Sequence, residues 1–354
     1  MISKKKIESI LSGYDKKKIT IATLGSHSAL QILKGARDEG FKTMVICKKD
    51  QAIVYEHFNV GDTMVNIDDY KDVLDEGFQD RMIENNVILI PHGSFVEYVG
   101  AKNIEDTVRI PLFGNRLVLA WESDREKQRE FLLKAGIKMP KKFSTPDEID
   151  RLVMVKFPGA KGGKGYFLAR NKREFELKMK KHKKEGETYS IQEYVIGTLM
   201  YPHYFHSPLT GKTEMLSMDI RWESNIDGLT RIPSTILSGY RVDPSYVVTG
   251  NIPLVARESL LPQVLAMGMN VVKTSKQLFP PGLTGPFCIE SVCTKDLELI
   301  VFEISARIVA GTNLYINGSP YSHITYDEPM STGRRISREI KNAIARDKIA
   351  EIIY

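Results

Sequence analysis

Lys156 is followed by Phe157-Pro158-Gly159-Ala160-Lys161-Gly162-Gly163-Lys164-Gly165. Four glycines in seven residues free the backbone to wrap an anion. Their N–H groups and the neighbouring ammoniums suit a polyphosphate. The pattern GxxxxGK[ST] is absent and no helix follows, so this is not a Walker A loop. A hairpin lid over nucleotide phosphates is one reading; a Lys- and Gly-rich surface turn is the other. Glu290 in GPFCIES and Glu303 in VFEISAR lie on two strand-like runs joined by a turn at TKDLE. Carboxylates facing each other across strands repel, and a cation between them removes the repulsion. Mg²⁺ prefers oxygen ligands and substrate phosphates. Arg307, two positions past Ser305, is then placed to face a transferred phosphoryl group. The alternative is one edge glutamate and one capping glutamate. Gln192-Glu193-Tyr194-Val195 ends a strand and offers backbone groups to an adenine edge, or is a plain strand end.

These groups need elements to hold them. KITIATLG (Lys18 to Gly25) reads as a buried strand, and SHSALQILKGARDEG as a helix with Ser26 as N-cap and Gly40 past its end. FKTMVICKK, NVILIPHGSF and IPLFG read as further strands. Strands separated by helical lengths imply βαβ units and a mostly parallel sheet. Gly25-Ser26-His27-Ser28 then stands where a strand gives way to a helix N-terminus, a place suited to a phosphate. GxGxxG is absent, and the second strand ends in Lys48-Lys49 where an acidic residue would bind a dinucleotide ribose. His27 either binds such an anion or caps the helix. Ser94 in PHGSF follows a strand carboxyl end, where open α/β sheets bind ligands; a turn serine is its other reading.

Near Asn115 the texture changes. WESDREKQREFLLKAGIKMP reads as one charged amphipathic helix, and LVMVKFPGAKGGKGYFLA as strand, loop and strand. A lysine-rich helix (Arg173 to Lys184) leads to the strand YSIQEYVIG. YPHYFHS, EMLSMDIRWES, GPFCIESVC and LELIVFEISARI are strand-like, and RESLLPQVLAMGMNVVKTSKQL and STGRRISREIKNAIARD are helical. The expected division is an N-terminal α/β domain over 1–120, a lid subdomain with the glycine-rich loop over 121–200, and a C-terminal subdomain with the metal site over 201–354.

The chain of 354 residues is long enough for sizeable cores without disulfide or metal staples. Its net charge of +6 fits anionic small ligands as well as RNA. Three widely spaced cysteines give no disulfide framework and no zinc pattern, which points to a reducing, cytosolic compartment. No apolar run approaches the ~20 residues of a membrane helix. The run KREFELKMKKHKKEGE reads as a solvated helix face, not a nucleic-acid arm. His203 and His206, three apart on a strand, fall on opposite faces, which argues against a shared metal.

Lysine before a glycine-rich hairpin, an EYV hinge and a glutamate pair with E-x-S-x-R together resemble the ATP-grasp superfamily. The match narrows further. TLGSHSALQILKGA, PHGSF, FGNR, VKFPGAKGGKGYF, EYVIGT, RWESNIDGLTRIP, TGNIP, RESLLPQV, GPFC and FEISARI…GTN…NGSPYS resemble the archaeal formate-dependent AICAR ligase (FAICAR synthetase) family, from Thr23 to Ser322. The resemblance implies an ATP-grasp fold of α/β and α+β character with an N-terminal doubly wound α/β domain. It implies a carbon–nitrogen ligase of purine biosynthesis: ATP activates formate as formyl phosphate, which the 5-amino group of AICAR attacks. By motif match His27, Ser94 and Asn251 contact AICAR. Lys156, Gly162, Gly163, Gly165, Gln192, Glu193, Val195 and Glu223 contact ATP, and Glu290 and Glu303 hold Mg²⁺ or Mn²⁺. Lys156 and Arg307 would offset developing negative charge. Ser305 replaces the asparagine of the superfamily's E-x-N, leaving Asn313 or water as a third metal ligand. The implied partners are the small molecules ATP, formate and AICAR and further copies of the chain, with no nucleic acid and no membrane. The alternatives are a paralogous ligase with another carboxylate or amine, and a non-enzymatic nucleotide- or RNA-binding protein. Both glutamates and Arg307, all present, argue against the latter.

Overall fold

The computed structural model describes residues 1–157, 166–182, 188–240, 242 and 244–354. The first sheet contains β1 (Thr20–Leu24), β2 (Lys42–Lys48), β3 (Thr63–Ile67) and β4 (Val87–Leu89), all parallel, in the order β3-β2-β1-β4. β1 is buried along its whole length, as a strand covered on both faces must be. β3 was not legible because it is a half-exposed edge strand without an apolar run. IPLFG forms only single bridges, Leu89 to Leu112 and Phe113 to Ile353, and no strand. Pro111 has no N–H to offer a ladder.

The second sheet is antiparallel, ordered β5-β8-β6-β7, from β5 (Lys142–Phe143), β6 (Val153–Lys156), β7 (Tyr166–Ala169) and β8 (Ser190–Glu193). With the Lys172–His182 helix it encloses its own core of Phe143, Val153, Val155, Phe157, Phe167, Phe175 and Ile191. β6 and β7 are the two arms of the glycine-rich hairpin. Gly162, Gly163 and Gly165 lie outside the described residues.

The third sheet carries β9 (Thr198–His206), β10 (Thr213–Asn225), β11 (Tyr246–Pro253), β12 (Gly285–Cys293) and β13 (Leu299–Ser305), ordered β11-β10-β9-β12-β13 and antiparallel. The Leu261–Leu278 helix covers it, placing Val264, Met267 and Val271 in the large core. The single helix expected over WESDREKQREFLLK is two, Leu117–Ser123 and Arg125–Lys134. Asp124 separates them: its carboxylate accepts from the N–H groups of Glu126 and Lys127 at 3.0 and 3.1 Å, capping the second. Phe131 and Leu132 of that second helix join the large core.

The C-terminal Thr332–Ala345 helix packs on the Ala29–Asp38 helix of the first sheet. Two glycines permit the crossing. A Cβ on Gly35 would lie 2.2 Å from the Arg334 nitrogen, and one on Gly333 2.2 Å from the Gln31 carbonyl oxygen. Beside this contact the buried Glu39 carboxylate takes Arg334 at 2.7 Å and Arg338 at 2.6 Å. No helix among the described residues is long and apolar enough to cross a membrane. All three cysteines are buried and free.

Candidate active site

The order β3-β2-β1-β4 reverses direction between β1 and β4, and a parallel sheet opens a crevice at the carboxyl ends of such a pair. Gly25-Ser26-His27 leaves β1 there, and His92-Gly93-Ser94 follows β4. The two turns are bonded together. Ser26 Oγ is 2.6 Å from Ser94 Oγ, and His92 Nε2 donates to the Leu24 carbonyl oxygen at 2.9 Å. The His27 and His92 rings meet edge to face at 4.8 Å. Ser26 is therefore not the N-cap: the helix begins at Ala29, with Ser28 before it. His27 does not cap it either, since its Nδ1 bonds the Ser28 hydroxyl at 2.7 Å.

Arg307 enters the same crevice from beyond β13. A Cβ on Gly93 would stand 2.8 Å from His27 Nε2 and 3.0 Å from Arg307 Nη2, so both groups converge over that glycine. Glu122 holds the guanidinium at 2.9 Å and accepts the Ala306 N–H at 2.7 Å. Arg307 Nε is buried without a partner among the described residues. Burial, and then the positive charges of nearby groups including Arg307 and Arg221, push His27 down to about 2. Its imidazole is neutral at any working pH.

Glu290 and Glu303 are direct cross-strand partners in the β12–β13 ladder. Glu290 lies on an interior strand and is 2% exposed, so it is no edge residue. Arg221 of β10 bonds its Oε1 and lies over the Tyr201 ring, with Ser305 Oγ also donating at 3.3 Å. Oε2 of Glu290 is buried with no partner among the described residues. Glu303 has the accessible surface of an exposed side chain, while protein crowds the carboxyl itself. The crowding governs its ionisation, because desolvation acts on the charged group. Desolvation first, then the Glu290 charge, holds it above the usual glutamate range.

No cluster of three or more His, Cys, Asp or Glu among the described residues is arranged to hold a metal. The residues still fit Mg²⁺ arriving with a nucleotide. An orphaned carboxylate oxygen and a second, strained carboxylate opposite supply hard oxygen ligands, and Mg²⁺ keeps waters and phosphates for the rest. Asn313 is not brought to this pair. Its oxygen accepts from Gln31 at 2.8 Å and its amide donates to the His27 carbonyl.

Lys156 ends β6 and feels both Glu303 and Glu290, which oppose the downward pull of burial on its ammonium. Gln192 and Glu193 lie on β8 of the same sheet. The Glu193 carboxylate is held by Arg151 at 3.1 Å and by the Lys141 N–H at 3.2 Å, and its own N–H donates to the Lys141 carbonyl oxygen at 2.8 Å. Val195 follows in the connection to β9. Glu223 sits at a bulge of β10, where burial and then Asp227 push it up to about 7. Asn251 of β11 pairs in register with Arg221 and donates to Asp219 at 2.7 Å. His203 lies in the same region, bonded to the other Asp219 oxygen at 2.7 Å, whereas His206 bonds Thr213.

Arg221, Glu122, His92 and Asp219 carry the site and were not singled out from sequence. Arg221 and Asp219 had a signal: with Glu223 they alternate along one strand, on one face. Glu122 had none, because its partner is far along the chain.

Two family models match, one described as a protein of unknown function (DUF1246) over residues 21–143 and one as a domain of unknown function (DUF1297) over 170–354. Curated relatives called 5-formaminoimidazole-4-carboxamide-1-(beta)-D-ribofuranosyl 5'-monophosphate synthetase are 49% identical in Methanosphaera stadtmanae, over 99% of each chain, and 49% identical in Methanocaldococcus jannaschii, over 100% of each. Among solved structures, an IMP biosynthesis protein PurP from Thermococcus kodakaraensis aligns with TM-score 0.76 and 31% identity, over 94% of this chain and 100% of that one. A biotin carboxylase domain of the Hydrogenobacter thermophilus 2-oxoglutarate carboxylase, solved with MgADP, aligns with TM-score 0.63 at 15% identity, over 90% of this chain and 69% of that one, a likeness of fold alone. The chain has the ATP-grasp fold and belongs to the family of 5-formaminoimidazole-4-carboxamide ribonucleotide synthetases.

Proposed function

We propose that this protein is the ligase that converts AICAR to FAICAR with ATP and formate, in purine biosynthesis. The observation that carries the reading is the convergence of two half-sites. The β1/β4 crevice with His27, Ser94 and Arg307 opens beside the sheet face that bears Arg221, Glu290 and Glu303, and charges on the two halves act on one another. A phosphate-bearing second substrate and an activated acyl group then meet without diffusing through water.

A formate oxygen attacks the γ-phosphorus of ATP and ADP leaves. The 5-amino nitrogen of AICAR attacks the formyl carbon, phosphate departs with that formate oxygen, and the amine loses a proton. Glu290 and Glu303 would hold Mg²⁺, or Mn²⁺ in its place, which when bound neutralises charge on the transferring phosphoryl group. Lys156 and the glycine-rich loop carrying Gly162, Gly163 and Gly165 bind the ATP phosphates. The backbone of Gln192, Glu193 and Val195 meets the adenine, and Glu223 contacts the nucleoside. Arg221 and Arg307 are fixed positive charges at the acyl-transfer point. His27 and Ser94 bind the ribonucleotide, with Asn251 at its imidazole end. The β5–β8 sheet acts as the lid that excludes water from the acyl phosphate. ATP use and buried free thiols support a cytosolic setting, and the family resemblance supports a homo-oligomer.

The test is phosphate release from the purified protein. Release should need ATP, Mg²⁺, formate and AICAR together. Equal release with glycine or bicarbonate in place of formate would overturn the substrate assignment and favour a paralogous ligase.

A further inference from the structure

Asn251 is half-buried at the edge of the sheet, and one end of its amide is committed. Its Nδ2 donates to Asp219 Oδ2 at 2.7 Å, and His203 Nε2 bonds Asp219 Oδ1 at the same distance. Asp219 and His203 are 1% and 2% exposed. The carboxylate packs closely on Gly311, where a Cβ would come within 2.3 Å of Oδ1. An ionised carboxylate only accepts hydrogen bonds. The NH₂ end of Asn251 must therefore face Asp219, and the carbonyl oxygen must face the other way. No donor reaches that oxygen among the described residues. Arg221, paired in register with Asn251, ties this position to the strand that carries Glu290.

We propose that Asp219, backed by His203, is a positioning residue that locks the Asn251 amide with its oxygen toward the substrate, so that this position selects a ligand with an N–H donor and disfavours a carboxylate there. The inference rests on the reading of Asn251 as a substrate contact. Two N–H groups of AICAR meet the requirement, the 4-carboxamide and the 5-amine. Asp219→Asn removes the lock: an amide at 219 can donate as well as accept, so the Asn251 amide is free to turn over.

The experiment measures binding of three ribonucleotides to the full-length protein by calorimetry: AICAR, its 4-carboxylate analogue, and the analogue with hydrogen in place of the 5-amine. Wild type should bind AICAR at least about tenfold tighter than whichever analogue lacks the selected N–H, which identifies the group. Asp219→Asn should reduce that preference about tenfold, with the affinity for a non-hydrolysable ATP analogue unchanged. A merely structural role would weaken all three ligands alike. Asn251→Ala, at a half-buried position, gives a second test and should erase the preference. A preference retained in either variant, or absent from the wild type, overturns the proposal. Failure of wild type to bind AICAR at all strikes instead at the function proposed above.

Discussion

Glu290 and Glu303 face each other directly across the β12–β13 pair, and Arg221 is bonded to Glu290. The arrangement holds two acids close with one arginine against them, and one buried oxygen is left bare. Removing the Glu303 charge relieves repulsion in the ligand-free fold and deletes a proposed metal ligand. Glu303→Gln should therefore keep or raise the thermal midpoint while lowering turnover by at least about 100-fold, close to 2.7 kcal/mol of barrier. Glu290→Gln should cost about 1–3 kcal/mol of stability, because Arg221 loses its charged partner. Steady-state rates across a Mg²⁺ titration, with denaturant midpoints, check both.

His27 is neutral in the free protein, so the contact proposed for it with the ribonucleotide is an uncharged hydrogen bond. Losing one is worth about 0.5–1.5 kcal/mol, or roughly twofold to tenfold. His27→Ala should raise KM for AICAR by that factor and leave KM for ATP unchanged. AICAR affinity should show no titration assignable to His27 above pH 5. An unchanged AICAR KM with a lowered thermal midpoint would make His27 a structural residue.

Arg307 depends on Glu122, which fixes its guanidinium at 2.9 Å. Glu122→Gln keeps the shape and removes the charge. It should lower kcat by about tenfold, and Arg307→Lys, which cannot form the same planar fork, by more. Single-turnover rates with saturating ATP and formate check the order.

His206 is held near 4 by burial, with Lys276 adding to the shift. Its folded value lies below the unfolded one of about 6.5, so its contribution to stability is whole above that pH and is lost as pH falls toward 4. The unfolded chain binds a proton there that the folded chain refuses. Wild type should therefore lose stability relative to His206→Gln across this window, by at most about 1.4 kcal/mol per pH unit. Urea midpoints of the two proteins from pH 7 to pH 4 measure the difference, in which the opposing upward shift of Glu223 cancels.

Gly35 lets two helices touch backbone to backbone. Gly35→Ala should destabilise by about 1–3 kcal/mol or more, since the clash is with the Arg334 backbone and no side chain can yield. The same assay reads it.

The sequence displayed what depends on local spacing. The βαβ texture before Asn115, the two arms flanking the glycine-rich loop and the hairpin that opposes Glu290 to Glu303 were all legible, because turn residues and apolar runs mark them. The Glu122–Arg307 and Glu39–Arg334 pairs were not, since their partners are 185 and 295 residues apart. β3 carried no signal at a half-exposed edge. The helix break at Asp124 did carry one, since an aspartate ahead of a turn bearing Glu126 is a helix start. It was hidden by the polar, mostly charged texture from Glu122 to Glu130.

In the mechanism proposed above, formate is phosphorylated before the amine attacks. Oxygen-18 formate tests it most directly. With unlabelled ATP and AICAR, one labelled oxygen per turnover should appear in the released phosphate and one should remain in the formamide product, read by mass spectrometry. Phosphate free of label, with both substrates consumed, would contradict the account.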